Sequence, residues 1–429
     1  MNKVGYLTES SKYFTKEEAI FEASRCTLCE DAPCNNGCPI GCDPKAFVGL
    51  VAKGELDNAV ELLRENNPLA SICGRVCPYD SHCVSECRNT DIKEPIMIPY
   101  IEKFLKDYEK ENNLLPKENK VENNKENKVA IIGSGPSGLT TAAMLGRKGY
   151  SVTVFEEREE VGGWLSYGIP PHRLPKAVIK QDVDYIKSLG VDFVTNCKVG
   201  QDTTIEKLRE EGYKAFLLCT GYNKGRVLKV KGYELNGVTD AVSFLAEAKA
   251  KDGNITPGKS AIVIGGGDVA MDCGTTAKLT GYEKVRLVVR GPLESMTASA
   301  KELKYLQFVN VPVFDNFDSY EIIGDENKNV CAMEFVGLKE DTSKLRLEAD
   351  TVIFAVGQYP DGVKDIADIE LDERGGIVVN NFQTSIEDIF ATGDLVPGEK
   401  TACGATALGK QVACAIDKYF NKVEETATV

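Results

Sequence analysis

Eight of the nine cysteines between positions 26 and 87 fall into two blocks, Cys26-x2-Cys29-x4-Cys34-x3-Cys38-Pro39 and Cys73-x3-Cys77-Pro78 followed by Cys83-x3-Cys87. A cysteine run closed by Cys-Pro is an iron–sulfur arrangement, and eight thiolates suit two four-iron clusters. The competing chemistry is a disulfide scaffold, which belongs to small secreted domains. Residues 1–13 lack the apolar core of a secretory leader, so a reducing cytoplasm is expected. Only His82 and His172 are present, which nearly excludes histidine-based metal or acid–base chemistry. Cys42, four residues after Cys38 in CPIGCDP, is expected to be a buried or free thiol, with ligation as the lesser alternative, while Cys197, Cys219, Cys273, Cys331, Cys403 and Cys414 are scattered, and small apolar packing is their expected role. No Cys-x-x-Cys occurs outside the N-terminal blocks, which argues against a dithiol reductase mechanism.

Two glycine motifs carry nucleotide chemistry. Gly133-x-Gly135-x-x-Gly138, with Pro136 and Ser137 inside it, follows the apolar run KVAIIG and opens a helical pattern. The first glycine allows a tight turn, the second lets the backbone approach a pyrophosphate, and the third permits close helix–strand packing. Glu156 ends the next strand, SVTVFEE, where an acid can hold ribose hydroxyls. Gly265-x-Gly267-x-x-Ala270, with Gly266 and Asp268 inside it, repeats the pattern, and Arg290 takes the place of Glu156. Arg there accepts a 2′-phosphate, whereas an acid favours NAD, so NADPH is expected over NADH. The alternative is that Arg290 is a solvated strand-end charge.

Further candidates surround these motifs. Thr392-Gly393-Asp394 follows a strand, and an Asp there can bond the ribitol hydroxyls of FAD. A helix starting near Ala405 would aim its N–H groups and dipole at the flavin or its pyrophosphate. The stretch 162–175, GGWLSYGIPPHRLP, contains Gly163, Leu165 and Arg173 and is rich in backbone-shaping residues that could line a flavin.

The elements that must position these groups follow from pattern. The 429 residues suffice for two to four domains, and 42% hydrophobic with 27% charged residues is ordinary for a soluble globular chain. A net charge of −14 argues against nucleic-acid binding, and no run of about 18 apolar residues suggests a membrane span. Helical patterns cover 15–25, with Thr15 as cap, 44–66 and 95–108. Residues 106–128 hold six acids and six lysines among few apolar groups and are expected to be an exposed linker. From Lys128 two β-α-β units appear, with further strands at 215–221, 350–357 and 388–394 and a last helix over 405–420. The expected class is α/β with an N-terminal α-helical iron–sulfur domain and two Rossmann-like domains, the second inserted in the first.

Both cysteine blocks, CGRVCP at 73–78, GSGPSG at 133–138, YGIPPHRLPK at 167–176, GGGDVAMDC at 265–273 and ATGD at 391–394 reach a known family. The chain resembles the small subunit of bacterial glutamate synthase. It is also similar to the N-terminal half of dihydropyrimidine dehydrogenase, to that enzyme's separate bacterial NAD-side subunit, and to the larger subunit of the NADH-dependent ferredoxin–NADP oxidoreductase.

The resemblance implies a two-[4Fe-4S] domain over 1–105, a linker over 106–128, FAD-binding parts over 129–240 and 346–429, and an NAD(P)H-binding domain over 241–345. It implies that Cys26, Cys29, Cys34 and Cys87 hold one cluster, and that Cys38, Cys77 and Cys83 hold the other with a fourth ligand from Glu102 or Cys73. Thr220, Gly221, Thr406 and Ala407 join the FAD candidates, and Gly357 joins the NAD(P)H candidates. Arg173 could steady an anionic reduced flavin. The implied activity is NAD(P)H oxidation with electrons passed through FAD and the clusters to a larger catalytic partner in a hetero-oligomer. The named alternatives are glutamate synthase small subunit, dihydropyrimidine dehydrogenase NAD-side subunit and bifurcating transhydrogenase subunit. A different class, a non-catalytic iron–sulfur nucleotide-binding scaffold, also fits the motifs.

Overall fold

The computed structural model describes residues 5–10, 13–91, 93–114, 124–338 and 343–427. They form two compact units. The larger contains residues 13–166, 173–222 and 360–427, and the inserted one contains 5–10, 167–172 and 223–359.

The larger unit begins with helices that present cysteine loops. Thr15 caps the helix Lys16–Ser24 in a reciprocal box, its Oγ1 accepting from Glu18 N at 3.2 Å while its own N–H donates to Glu18 Oε2 at 2.9 Å. The pattern over 44–66 is two helices, Pro44–Ala52 and Leu56–Asn66. The chain breaks at Gly54, whose φ of +78° suits glycine and few other residues. Phe47, Val51, Leu63, Ile101 and Leu105 close one apolar core between them.

Two helical features depart from expectation. Ala70–Val76, which carries Cys73, is a helix with all seven residues buried. It packs against Ile98–Glu111 and Lys176–Ser188. Gly74 permits the first contact: a Cβ there would stand 3.3 Å from both Glu102 Cγ and Lys103 N. The second departure is the linker. Its first six residues, 106–111, complete the helix Ile98–Glu111, and Lys106 and Glu109 are buried. Composition suggested exposure, but Arg64 supplies a buried counter-charge from another helix. Residues 115–123 of the expected linker lie outside the described residues.

The sheet of the larger unit has five parallel strands in the order Ile389–Ala391, Tyr213–Leu218, Asn124–Ile132, Tyr150–Phe155 and Asp192–Val194. The helices Pro136–Arg147 and Ala402–Ala427 pack on one another. Gly409 lets them approach, with Thr141 Oγ1 donating to its carbonyl at 3.1 Å.

The inserted unit has a second five-stranded parallel sheet, ordered Val238–Asp240, Thr351–Phe354, Ser260–Ile264, Lys284–Val288 and Val313–Phe314. A three-stranded antiparallel sheet, Phe317–Gly324, Val330–Gly337 and Lys344–Glu348, follows the last of these. The expected boundaries at 240/241 and 345/346 therefore shift outwards. Val238–Asp240 and Thr351–Phe354 pair with the second sheet, because their hydrogen-bond partners are each other and Ser260–Ile264. Residues 5–10 also group with this unit and not with the helical segment, Ser10 Oγ donating to His172 O at 3.0 Å.

Candidate functional site

The first thiol group is built on loops. Cys26 follows the helix Lys16–Ser24, Cys34 lies in the short helix Pro33–Asn36, and Cys29 sits between them. Leu28 and Ala32 bend the loop with positive φ of 50° and 41°, a strain that side-chain-bearing residues adopt where surrounding structure demands it. Cys26, Cys29, Cys34 and Cys87 line a single cavity walled by Val48, Ile96 and Ile98. The Ile96 N–H donates to Cys87 Sγ at 3.4 Å. Burial pushes the Cys34 thiol up to about 11, with Cys26 and Cys87 adding to the rise. Such a cavity penalises thiolates until cations balance them, which suits an iron cage.

A second group lies deeper. Cys38, Cys77, Cys83, Cys73 and Glu102 share one electrostatic neighbourhood. Cys73 sits on the helix Ala70–Val76, Cys77 caps its C-terminus, and Glu102 projects from the helix Ile98–Glu111. Burial first, then Cys73 and Cys38, holds the Glu102 carboxyl well above its ordinary range, with Lys106 opposing. Cys38 is pushed down to about 6, chiefly by a hydrogen bond from Cys42. Among the described residues no three such side chains close round a single metal ion. Cys42 is found here beside Cys38, and Cys403, expected only to pack, lies beside Cys77 and Cys73. Spacing in the sequence carried no signal for Cys403, which lies 326 residues beyond Cys77 in the numbering of the chain.

The flavin candidates gather past the C-terminal ends of the first sheet's strands, where open α/β sheets bind ligands. Gly133 has φ +107°, and a Cβ there would stand 2.6 Å from Cys219 O. A Cβ on Gly138 would stand 2.3 Å from Gly133 O, whereas Gly135 faces open space. The helix Pro136–Arg147 starts at once, with no side-chain cap on its N-terminal N–H groups. That cradle fits a pyrophosphate. Glu156 is buried and accepts from Ser134 N at 3.1 Å, Ser134 Oγ at 2.5 Å and Arg158 N at 3.0 Å. Gly163 lies against Gly135, and Leu165 and Arg173 are buried.

At the far strands, Thr220 and Thr392 each keep a buried hydroxyl without a hydrogen-bond partner. Gly221 and Gly393 have φ of +67° and +70°. Asp394 is partly buried, and burial raises its carboxyl while Lys400 opposes. These orphaned polar groups fit the hydroxyls of a flavin nucleotide. Thr406 and Ala407 lie in the first turns of the helix Ala402–Ala427, Thr406 Oγ1 donating to Ala402 O at 2.8 Å. Ser134 was not singled out from sequence, and Thr392 was named only as the first residue of Thr392-Gly393-Asp394. The strand-end position of Thr392 and the place of Ser134 inside GSGPSG are the signals that could have found them.

The inserted unit repeats the cradle. Gly265 has φ +143°, and a Cβ there would stand 2.3 Å from Ala355 O. Gly267 caps the helix Asp268–Leu279 through its backbone alone, with Gly266 before it and Ala270 fully buried behind it. Asp268 Oδ1 accepts from Ser299 N at 2.7 Å. Gly357, with φ +105°, follows the neighbouring strand. Arg290 is exposed at the end of its strand, its Nε 3.3 Å from Asp318 Oδ2. The residues therefore fit a dinucleotide, while the Arg290 guanidinium already has an acidic neighbour.

Residues 3–114 match a family described as dihydropyrimidine dehydrogenase domain II, 4Fe-4S cluster, and residues 127–415 match pyridine nucleotide-disulphide oxidoreductase. The chain is 37% identical to the NAD-dependent dihydropyrimidine dehydrogenase subunit PreT of Salmonella typhimurium, over 98% of this chain and 99% of that protein. It is 31% identical to the NADP(+)-dependent formate dehydrogenase subunit beta of Moorella thermoacetica, over 93% of this chain and 61% of the relative. The fold matches Mycobacterium tuberculosis FprA, solved in complex with NADPH, with a TM-score of 0.58 at 18% identity over 70% of this chain and 86% of that one. Two glycine cradles, two thiol groups and a full-length relationship place the chain in the family of FAD- and iron–sulfur-dependent NAD(P)H oxidoreductases.

Proposed function

We propose that the chain is the electron-input subunit of a hetero-oligomer, taking electrons from NAD(P)H and delivering them to a larger catalytic partner. When bound, the flavin accepts a hydride from the nicotinamide and the clusters carry single electrons. The observation that carries the reading is the position of the helix Ala402–Ala427. Cys403 on it reaches the second thiol group, and Thr406, about one turn on, belongs to the flavin candidates. Cys26, Cys29, Cys34 and Cys87 would hold the first cluster. Cys38, Cys77, Cys83 and Glu102 would hold the second, with Cys73 as the competing fourth ligand. Gly133, Gly135 and the uncapped helix start would orient the FAD pyrophosphate. Thr220, Thr392 and Asp394 would bind its polar groups, and Arg173 would balance negative charge on the reduced ring.

The match to a dihydropyrimidine dehydrogenase subunit along nearly the whole of both chains supports that assembly over glutamate synthase. The same name favours NADH. The salt-bridged Arg290 supports NADPH only weakly, because Asp318 would repel a 2′-phosphate. Anaerobic addition of NADH or NADPH should bleach the flavin band of the isolated chain and support dye reduction, with no glutamate formed from glutamine and 2-oxoglutarate. A flavin that stays oxidised would favour the scaffold reading, and glutamate formation would refute the need for a partner.

A further inference from the structure

The second dinucleotide cradle has no acid where the first has Glu156. Ile264 pairs with Val288 as Ile132 pairs with Phe155, so Val289 stands where Glu156 stands, and Arg290, expected there from sequence, lies one position further on. The neighbours agree: Glu156 accepts from Ser134 N, while a Cβ on Gly266, the counterpart of Ser134, would stand 2.9 Å from Val289 Cγ1. Val289 is buried, and its side chain offers a ribose no acceptor. An acid arrives from another segment. Phe317 N donates to Val289 O at 3.3 Å and Asn316 N to Gly291 O at 3.2 Å, which lays 316–318 alongside 289–291. Asp318 is thereby set beside Arg290, its Oδ2 3.3 Å from Arg290 Nε, and its Oδ1 accepts from Ser319 N at 3.0 Å. The two side chains stay 42% and 76% exposed. A pair so solvated contributes little to stability but is open to a ligand. The segment that returns from Arg290 to the cradle is fixed as well. Thr297 N and Ala298 N both donate to Gly266 O at 3.1 Å, and Ser299 N donates to Asp268 Oδ1 at 2.7 Å.

We infer that Asp318 sets the coenzyme preference of the second cradle, its carboxylate accepting from the 2′-hydroxyl of NADH and opposing the 2′-phosphate of NADPH. This rests on the NAD(P)H-oxidising role proposed above and names the residue that tells the two coenzymes apart. In dinucleotide folds the adenosine ribose lies past the end of the second strand, where an acid accepts from its hydroxyls and an Arg accommodates a 2′-phosphate. Arg290 and Asp318 meet at that place, just beyond the strand Lys284–Val288, so the balance of their charges decides. Asp318 offsets the guanidinium, and a phosphate with about two negative charges meets no net positive charge there. A hydroxyl brings no charge and donates to the carboxylate. Asp315, the other nearby acid, is occupied by Leu293 N at 3.3 Å and Asn316 Nδ2 at 2.6 Å. The preference that Arg290 alone implies is thus reversed in favour of NADH by a residue 28 positions further along the chain.

The test compares NAD+ with NADP+ in calorimetric binding, and NADH with NADPH in kcat/KM for dye reduction, on the anaerobically purified full-length chain. Wild type should favour the coenzyme without the 2′-phosphate in both measurements. Asp318→Asn keeps the side chain's size and removes its charge. It should move both ratios towards the phosphorylated coenzyme by roughly tenfold or more, the scale on which a like-charge contact acts. Both coenzymes share the Gly265 cradle, so general damage to the fold cancels in the ratio. Asp318→Glu should keep the wild-type ratio, and Arg290→Gln added to Asp318→Asn should take the gain back. An unchanged ratio in Asp318→Asn overturns the inference, as does a wild-type preference for NADP+. Binding ratios that shift as expected while the flavin stays oxidised with both coenzymes would uphold the role of Asp318 and refute the electron-input reading instead.

Discussion

At the scale of single residues, the proposed second cluster has two candidates for its fourth ligand, side chains on different helices. Glu102 is a carboxylate among thiolates, and burial with Cys73 and Cys38 makes its charge costly unless iron balances it. Cys73 is buried and already engaged with Cys403 and Thr406. Glu102→Ala is therefore expected to change the second cluster's EPR signal, while Cys73→Ser retains about eight irons per chain, the content of two four-iron clusters. Loss of roughly half the iron from Cys73→Ser, with Glu102→Ala unaffected, would reverse the assignment. The two blocks and the glycine fingerprints were legible because each is a short spacing pattern, and Gly138, whose Cβ would meet Gly133 O, answers to a backbone atom of its own motif. Cys403 was not legible, because its partners are set by helix packing and no local rule links it to Cys77.

At the scale of elements, the helices carrying the second thiol group are tied to the sheet half of the larger unit by a buried ion network. Arg64 Nε and Nη2 donate to Glu109 at 3.0 and 2.8 Å, and Nη1 donates to Asp182 at 2.6 Å. Asp182 Oδ2 also accepts from Ile72 N at 3.0 Å, so one guanidinium joins the helices Leu56–Asn66, Ile98–Glu111 and Lys176–Ser188 to Ala70–Val76. Arg64→Ala would leave two buried carboxylates short of charge, and a loss of about 3–5 kcal/mol is expected in denaturant unfolding. Lys106 shares the network through Glu109. Burial, then Arg64, pushes its ammonium down to about 7 from 10.5. Between these values the unfolded chain binds the extra proton, so this group makes stability rise with pH from about 7 towards 10.5. Lys106→Met should flatten that rise, and an unchanged slope in unfolding titrations would contradict the assignment. A lysine and a glutamate in a polar stretch read as exposed from composition, and only the distant Arg64 and Asp182 balance their burial, Arg64 for Glu109 and Asp182, with Glu109, for Lys106.

At the scale of the molecule, the described residues fall into two units, each with its own parallel sheet and core. Both thiol groups and the flavin candidates lie in the larger unit, and the second glycine cradle lies in the inserted one. A defect at Gly265 should therefore stay local. Alanine there would place a Cβ 2.3 Å from Ala355 O at φ +143°, a strain on the order of 1–3 kcal/mol that distorts the cradle without touching the first sheet. Gly265→Ala is expected to keep wild-type flavin absorbance and iron content and to be fully reducible by dithionite. Its flavin should bleach roughly tenfold or more slowly with NADH or NADPH, since each 1.4 kcal/mol lost from binding or orientation is about a factor of ten. Matched loss of flavin and iron would show that the two units depend on one another to hold their cofactors. Unimpaired bleaching would show that the nucleotide docks elsewhere than the Gly265 cradle.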